Sequence, residues 1–116
     1  MLVLFAATVL SIAVAGGLLL AVLNARHRQV PAAAGFAHAG TAVAGVVLLT
    51  VGITLEDTGL AVNAALFLFA IALVGGVFVL LFRLQPERPP MFMIALHGAT
   101  AIAGLAVLWG GVLATG

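Results

Sequence analysis

The sequence predicts an all-α integral membrane protein: an up-down-up-down bundle of four helices built from two tandem two-helix repeats. Of its 116 residues, 66% are hydrophobic and 6% are charged, which is too little polar surface to cover a soluble domain of this size. The charged side chains fall in three short clusters. Four uncharged segments remain, each as long as the roughly 20 residues that span a bilayer.

The four segments form one transmembrane domain over residues 1–116. The first segment has no basic residue before it and is longer than the apolar part of a typical signal peptide, so we expect it to be retained. Short loops join the segments and make neighbours antiparallel. Membrane strands are excluded, because each segment is too long and lacks their alternating pattern. The predicted spans are Leu2–Leu23, Ala32–Leu55, Leu60–Phe82 and Met91–Ala114.

The loop charges predict the orientation. All four arginines lie in the first and third loops, whereas the second loop carries two acids and no base. By the positive-inside rule, loops 24–31 and 83–90 face the cytoplasm and both termini lie outside. We expect the protein in the lipid bilayer of a bacterial inner membrane.

The chain repeats itself at an offset of 59 residues, without a gap. Matches of alanine are expected by chance in such a sequence, but matches of rarer residues are not. Repeat one (1–57) and repeat two (60–116) each contain two spans, so a pseudo-twofold axis along the membrane normal relates them. The rarer matches are Gly16–Gly17 with Gly75–Gly76, Pro31 with Pro90, His38 with His97, and Thr41 with Thr100.

His38 and His97 are the two histidines inside the predicted spans. Each lies seven residues after a proline, which is about 10 Å along a helix. The second and fourth helices run parallel at diagonal corners, roughly 11 to 14 Å apart if neighbours pack at 8 to 10 Å. The two imidazoles are therefore expected to face each other at equal depth, with a ligand between them.

Small residues surround both histidines. Thr41 and Gly45 share a helix face with His38, and Thr100 and Gly104 share one with His97. The two Gly-Gly pairs lie at nearly the same depth on the other helices. Close helix packing explains any single glycine, but small residues on all four helices favour a cavity. The threonine hydroxyls either lie near the imidazoles or bond to their own helices.

Haem is the ligand that fits two facing imidazoles. The chain has no cysteine, and zinc prefers four protein ligands, whereas a porphyrin supplies four nitrogens and needs only two axial groups. Arg26 and Arg83, with Arg28 and Arg88 nearby, are available to pair with the propionates. Membrane topology alone also explains these arginines.

The motif His-x-x-Thr-Ala-x-Ala-Gly, at 38–45 and 97–104, resembles membrane b-type cytochromes, which hold haem between histidines of a four-helix bundle. The resemblance implies an oxidoreductase that binds one haem b near the cytoplasmic side. It implies electron transfer with a quinol or a small redox carrier as partner. His38 and His97 become the axial iron ligands. The glycines implied to clear the porphyrin are Gly16, Gly17, Gly75 and Gly76.

Other functions stay open at this point. The His38 and His97 pair also suits a small ion or proton transporter or channel, since sites at a repeat interface are typical of transporters, although no intramembrane carboxylate or lysine supports that reading. A purely structural histidine pair is a third interpretation. The net charge of +1 argues against nucleic-acid binding. The sequence is compatible with a monomer or a homo-oligomer.

The predicted orientation can be tested with C-terminal reporters. A reporter that is active only outside the cytoplasm should be active when fused after the fourth span, and a cytoplasmic reporter fused there should be silent. The opposite pattern of activity would overturn the orientation.

Overall fold

Four long helices make up the protein, as the sequence predicts. The computed structural model describes residues 1–115, and no strand occurs among them. Each helix has 24 or 25 residues, enough to cross a bilayer, and each has the hydropathy of a membrane span. The helices are α1 (Leu2–Ala25), α2 (Ala32–Leu55), α3 (Leu60–Arg83) and α4 (Met91–Thr115).

The helices form a closed ring in chain order. Contact is most extensive within the α1–α2 hairpin and the α3–α4 hairpin, and weaker where α1 meets α4 and α2 meets α3. The pairs α1/α3 and α2/α4 lie diagonally, and their backbones do not come close to each other. The resulting bundle measures 46 × 22 × 19 Å. The diagonal placement of α2 and α4 agrees with the sequence prediction.

The two ends of the bundle differ in charge. Loops 26–31 and 84–90 lie together at one end, which we call the arginine end. There, Arg88 hydrogen-bonds to Nδ1 of His27 and links the two loops. The turn 56–59 lies at the opposite end, which we call the acidic end because it carries Glu56 and Asp57.

Except for Ala7, the buried positions of the first hairpin recur in the second at the same offset of 59. Both hairpins therefore pack in the same way. Small residues lie where two helices approach closely, and larger residues lie between these close contacts. The matched buried pairs are Val3/Val62, Ala6/Ala65, Leu10/Phe69 and Ala13/Ala72 on α1 and α3, and Gly45/Gly104, Leu49/Leu108 and Gly52/Gly111 on α2 and α4.

The close-packed core occupies only the half of the bundle next to the acidic end. Its residues come from the first half of α1 and α3 and the last half of α2 and α4. A Cβ atom built on Gly45 would lie 2.7 Å from the Leu10 side chain, and one on Gly52 would lie 2.9 Å from Val3. Side chains therefore fill the acidic half next to Leu10 and Phe69. A second cavity lies at the acidic end itself, lined by Val3, Glu56, Val62 and Val112 among others.

A polar contact joins the two hairpins within this half. The indole N–H of Trp109 on α4 donates to the Ser11 hydroxyl on α1 at 3.0 Å. Ser11 donates in turn to the Ala7 carbonyl at 2.7 Å. The equivalent positions at the α2–α3 contact are Thr50 and Ala70, so only one of the two hairpin contacts has this link.

Glu56 caps the start of α1 from the end of α2. Its carboxylate accepts hydrogen bonds from the N–H groups of Leu2 and Val3 and from the Met1 ammonium. These N–H groups have no acceptor inside the helix, and a negative charge there also interacts favourably with the helix dipole. The ammonium bond, followed by the two backbone bonds, lowers the pKa of Glu56 against the opposing effect of desolvation.

The packed core predicts a strong contrast between two leucines of α1. Leu10 is 1% exposed and Leu19 is 60% exposed. Leu10→Ala should destabilise the fold by about 2 kcal/mol or more, because the core cannot collapse around the cavity. Leu19→Ala should have little effect, since lipid fills the space. Unfolding in mixed detergent micelles measures both, and equal losses would contradict the packing described.

The Glu56 cap predicts a pH dependence of stability. Because the folded-state pKa lies below the ordinary value of 4.5, the cap stabilises fully above that value and its contribution is lost as pH falls through the lowered pKa. Glu56→Gln keeps an acceptor but cannot titrate. Its unfolding should show less acid sensitivity than that of the unchanged protein, and identical acid profiles would refute this role.

Candidate functional site

His38 and His97 face each other across the bundle axis, in the half next to the arginine end. Each lies six residues into its helix, α2 or α4. The ring centroids are 6.2 Å apart and the ring planes meet at 79°. Both side chains reach inward from diagonal helices, so the rings come much closer than the helix axes do. Within residues 1–115, no hydrogen bond joins the two rings.

One glycine of each Gly-Gly pair makes room for an imidazole. A Cβ atom on Gly17 would lie 2.7 Å from His38 Cε1, and one on Gly76 would lie 3.0 Å from His97 Cε1. Only a residue without a side chain lets the rings sit there undisturbed. The sequence interpretation assigned these glycines to porphyrin clearance, whereas in the structure their immediate neighbours are the histidine rings.

The other two glycines of these pairs are less closely engaged. A Cβ atom on Gly75 would be in ordinary contact with His97, 3.6 Å from its Cβ. A Cβ atom on Gly16 would meet nothing within 4 Å. Gly16 thus offers a matched comparison for its neighbour Gly17.

The Nδ1 atoms of the two histidines have different surroundings. His97 Nδ1 lies 2.8 Å from the Ala72 carbonyl oxygen. Because a carbonyl oxygen can only accept, Nδ1 is the donor of this bond, which is the tautomer that would leave Nε2 available as a metal ligand. His38 Nδ1 is buried without a hydrogen-bond partner. The Ala13 carbonyl, which corresponds to that of Ala72, faces the His38 ring but lies outside strict hydrogen-bond geometry.

A cavity surrounds both rings. Residues of all four helices line it. It extends from Leu10 and Phe69, where the core ends, to Arg83 at the arginine end. Its lining among residues 1–115 is apolar except for His38, His97 and Arg83.

Several residues that the sequence singled out lie away from this cavity. The Thr41 and Thr100 hydroxyls donate to carbonyls of their own helices, at 2.8 and 2.7 Å. Arg26 is exposed and is not part of the lining.

The two remaining glycines of the motif serve helix packing. Gly45 packs on Leu10, and Gly104 packs on Leu68 and Phe69. Five of the predicted site residues line the cavity: His38, His97, Gly17, Gly76 and Arg83.

The backbone carbonyls of Ala13 and Ala72 are the site groups that sequence reasoning missed. Every residue has a backbone carbonyl, so no side-chain pattern predicts which carbonyl will accept a hydrogen bond. The repeat offset does, however, pair these two alanines. The same offset pairs Leu10 with Phe69, the large residues that close the deep end of the cavity.

The donor set suits a metal that brings most of its own ligands. Among residues 1–115, no group of three or more metal-binding side chains comes together, so the site offers two imidazoles and no third ligand. No protein-family model, curated protein or solved structure matches the chain.

Proposed function

We propose that this protein is a membrane haem protein of the b type, which holds one haem between His38 and His97 and takes part in electron transfer. The observation that carries the proposal is the separation of the two ring centroids, 6.2 Å. Imidazole nitrogens bind metals at about 2 Å, so two opposed imidazoles on one metal have centroids roughly 6 Å apart.

The hydrogen bonding of His97 supports its role as a ligand. Metal-binding histidines usually donate their second ring N–H to a carbonyl or a carboxylate, which fixes the tautomer and raises the basicity of the ligating nitrogen. The bond from His97 Nδ1 to the Ala72 carbonyl has this form. His97 would therefore hold iron through Nε2.

The cavity supplies the rest of a haem environment. Its apolar walls would exclude water, and Arg83 would pair with a propionate at the arginine end. When bound, haem supplies a centre that accepts and releases one electron. The protein would contribute two imidazole ligands from His38 and His97, dry surroundings and a positive charge from Arg83, and these factors would set the reduction potential.

The position of the cavity supports electron exchange at the arginine end, which Arg83 of its lining approaches. Leu10, Leu49 and Leu108 are almost fully buried in the acidic half, so the cavity is closed toward the acidic end. Exchange would take place on the arginine side, with a quinol in the bilayer or a small redox carrier. By the positive-inside rule, that side is the cytoplasmic one.

The same closure weighs against an ion or proton path. A conducting path needs polar groups or water along the full thickness of the bilayer. Between Leu10 and the acidic end, the described core is made of apolar side chains. The histidine pair therefore sits in a one-sided chamber, which suits a bound cofactor better than a passage.

An absorption spectrum tests the proposal directly. Protein expressed with ample haem supply should show haem bands in a reduced-minus-oxidised spectrum, and the double variant His38→Ala/His97→Ala should lose them while remaining folded. A colourless unchanged protein under these conditions would reject the haem function.

Two adjacent glycines provide a matched pair for the same measurement. Gly17→Leu should expel haem, because its side chain takes the space of the His38 ring. Gly16→Leu should retain haem, since a side chain there meets open space. Haem content that is unchanged in Gly17→Leu would show that His38 does not ligate from its present position.

A further inference from the structure

We infer that haem enters and leaves the cavity sideways, from the hydrocarbon region of the bilayer, between α1 and α4. The entrance is covered by Leu18 of α1 and Ile102 of α4, and we call it the lateral gap. This inference rests on the proposed haem function. It adds to that function the surface at which the protein exchanges haem with the membrane.

The first observation is the exposure of the residues around the cavity. Among the described residues that line it, Leu18 and Ile102 alone are exposed, at 48% and 46%, and the others are buried or half-buried. A side chain that lines a cavity and is also exposed is the only layer between the cavity and the surroundings of the bundle. The wall is therefore one side chain thick at these two positions.

The second observation is that these two residues lie on facing sides of the contact between α1 and α4. Leu18 comes seven residues after Ser11, and Ile102 comes seven residues before Trp109, so each pair shares one helix face. The hydrogen bond from Trp109 to Ser11 joins these two faces in the acidic half. About 10 Å further along both helices, Leu18 and Ile102 cover the same interface beside the cavity.

The contact between α2 and α3 differs at the equivalent positions. The repeat pairs Leu18 with Val77 of α3, and Ile102 with Val43 of α2. Both valines are exposed, at 56% and 49%, yet neither lines the cavity. At these positions the cavity therefore reaches the outer surface between α1 and α4, and not between α2 and α3.

The two ends of the cavity are closed more firmly than this side. Leu10 and Phe69, which belong to the core, close the inner end. At the arginine end, the contact between Arg88 and His27 joins loop 84–90 to loop 26–31, so a molecule that enters there has to separate the loops. The lateral gap requires only the movement of two exposed side chains, which is fast.

The depth and chemistry of the lateral gap fit haem. Leu18 lies seven residues before Ala25, the last residue of α1, which is about 10 Å of helix. The gap therefore opens among the acyl chains, where strongly polar molecules do not dissolve. Haem in a bilayer keeps its ring among the acyl chains and its propionates at the head groups. This orientation brings the ring to the gap and the propionates to the end where Arg83 lies.

Haem exchange in phosphatidylcholine vesicles tests the lateral gap. Haem added to the haem-free protein gives the loading rate from the Soret band, and excess haem-free myoglobin added to the loaded protein gives the release rate. Leu18→Trp/Ile102→Trp should slow both by at least about tenfold, equivalent to about 1.4 kcal/mol of barrier, without changing the final haem content. Val77→Trp/Val43→Trp is the matched control from the other repeat and should behave like the unchanged protein.

Smaller side chains should have the opposite effect. Leu18→Ala/Ile102→Ala should load and release haem faster than the unchanged protein, because less side chain covers the gap. Val77→Ala/Val43→Ala should leave both rates as they are. This second pair of variants keeps the test independent of any misfolding caused by tryptophan.

His27→Gly tests entry at the arginine end. The variant removes the contact with Arg88, and glycine tolerates the positive φ of residue 27, 54°. Its loading rate should equal that of the unchanged protein. Equal rates in the α1/α4 variants and their controls, faster loading in His27→Gly, or a lower haem content at unchanged rates overturns the inference and leaves the haem function standing. A protein that binds no haem overturns both.

Discussion

An imidazole placed among apolar helices must find partners for two ring nitrogens where water is scarce, and the arrangement of the hollow half follows from that requirement. One ring nitrogen of His97, Nδ1, finds its partner in the Ala72 carbonyl. For the ring to reach that carbonyl, α3 must present no side chain at Gly76. No described residue hydrogen-bonds to the remaining nitrogen, and under the proposed function this nitrogen would hold the haem iron.

The two halves of the bundle are packed differently: one contains the core and the other contains the cavity. Toward the acidic end, glycines on α2 and α4 let the helices close around Leu10 and Phe69. Toward the arginine end, the glycines of α1 and α3 receive rings instead, and a chamber remains. Stability can thus be supplied by one half while the other stays open, which reconciles a large cavity with a chain of only 116 residues.

Helix number, bounds and order follow from the sequence, because the cost of burying charge in lipid leaves little choice about where spans begin and end. The repeat offset also places His38 and His97 correctly on diagonal helices. The rotation of each helix about its own axis does not follow from the sequence in this way. This rotation determines that Gly17, and not Gly16, contacts a ring, and that Gly45 contacts Leu10. Such details depend on side-chain packing between helices, which a uniformly apolar sequence encodes only weakly.

The fusion of two similar hairpins in one chain has a consequence for symmetry. Two separate copies of one hairpin, related by a true twofold axis, would give both histidines the same surroundings. A single chain that encodes each hairpin separately allows one side to keep Ile94 and the other Gly35. The two walls of the cavity can therefore differ in shape, as Leu10 and Phe69 also do at its inner end.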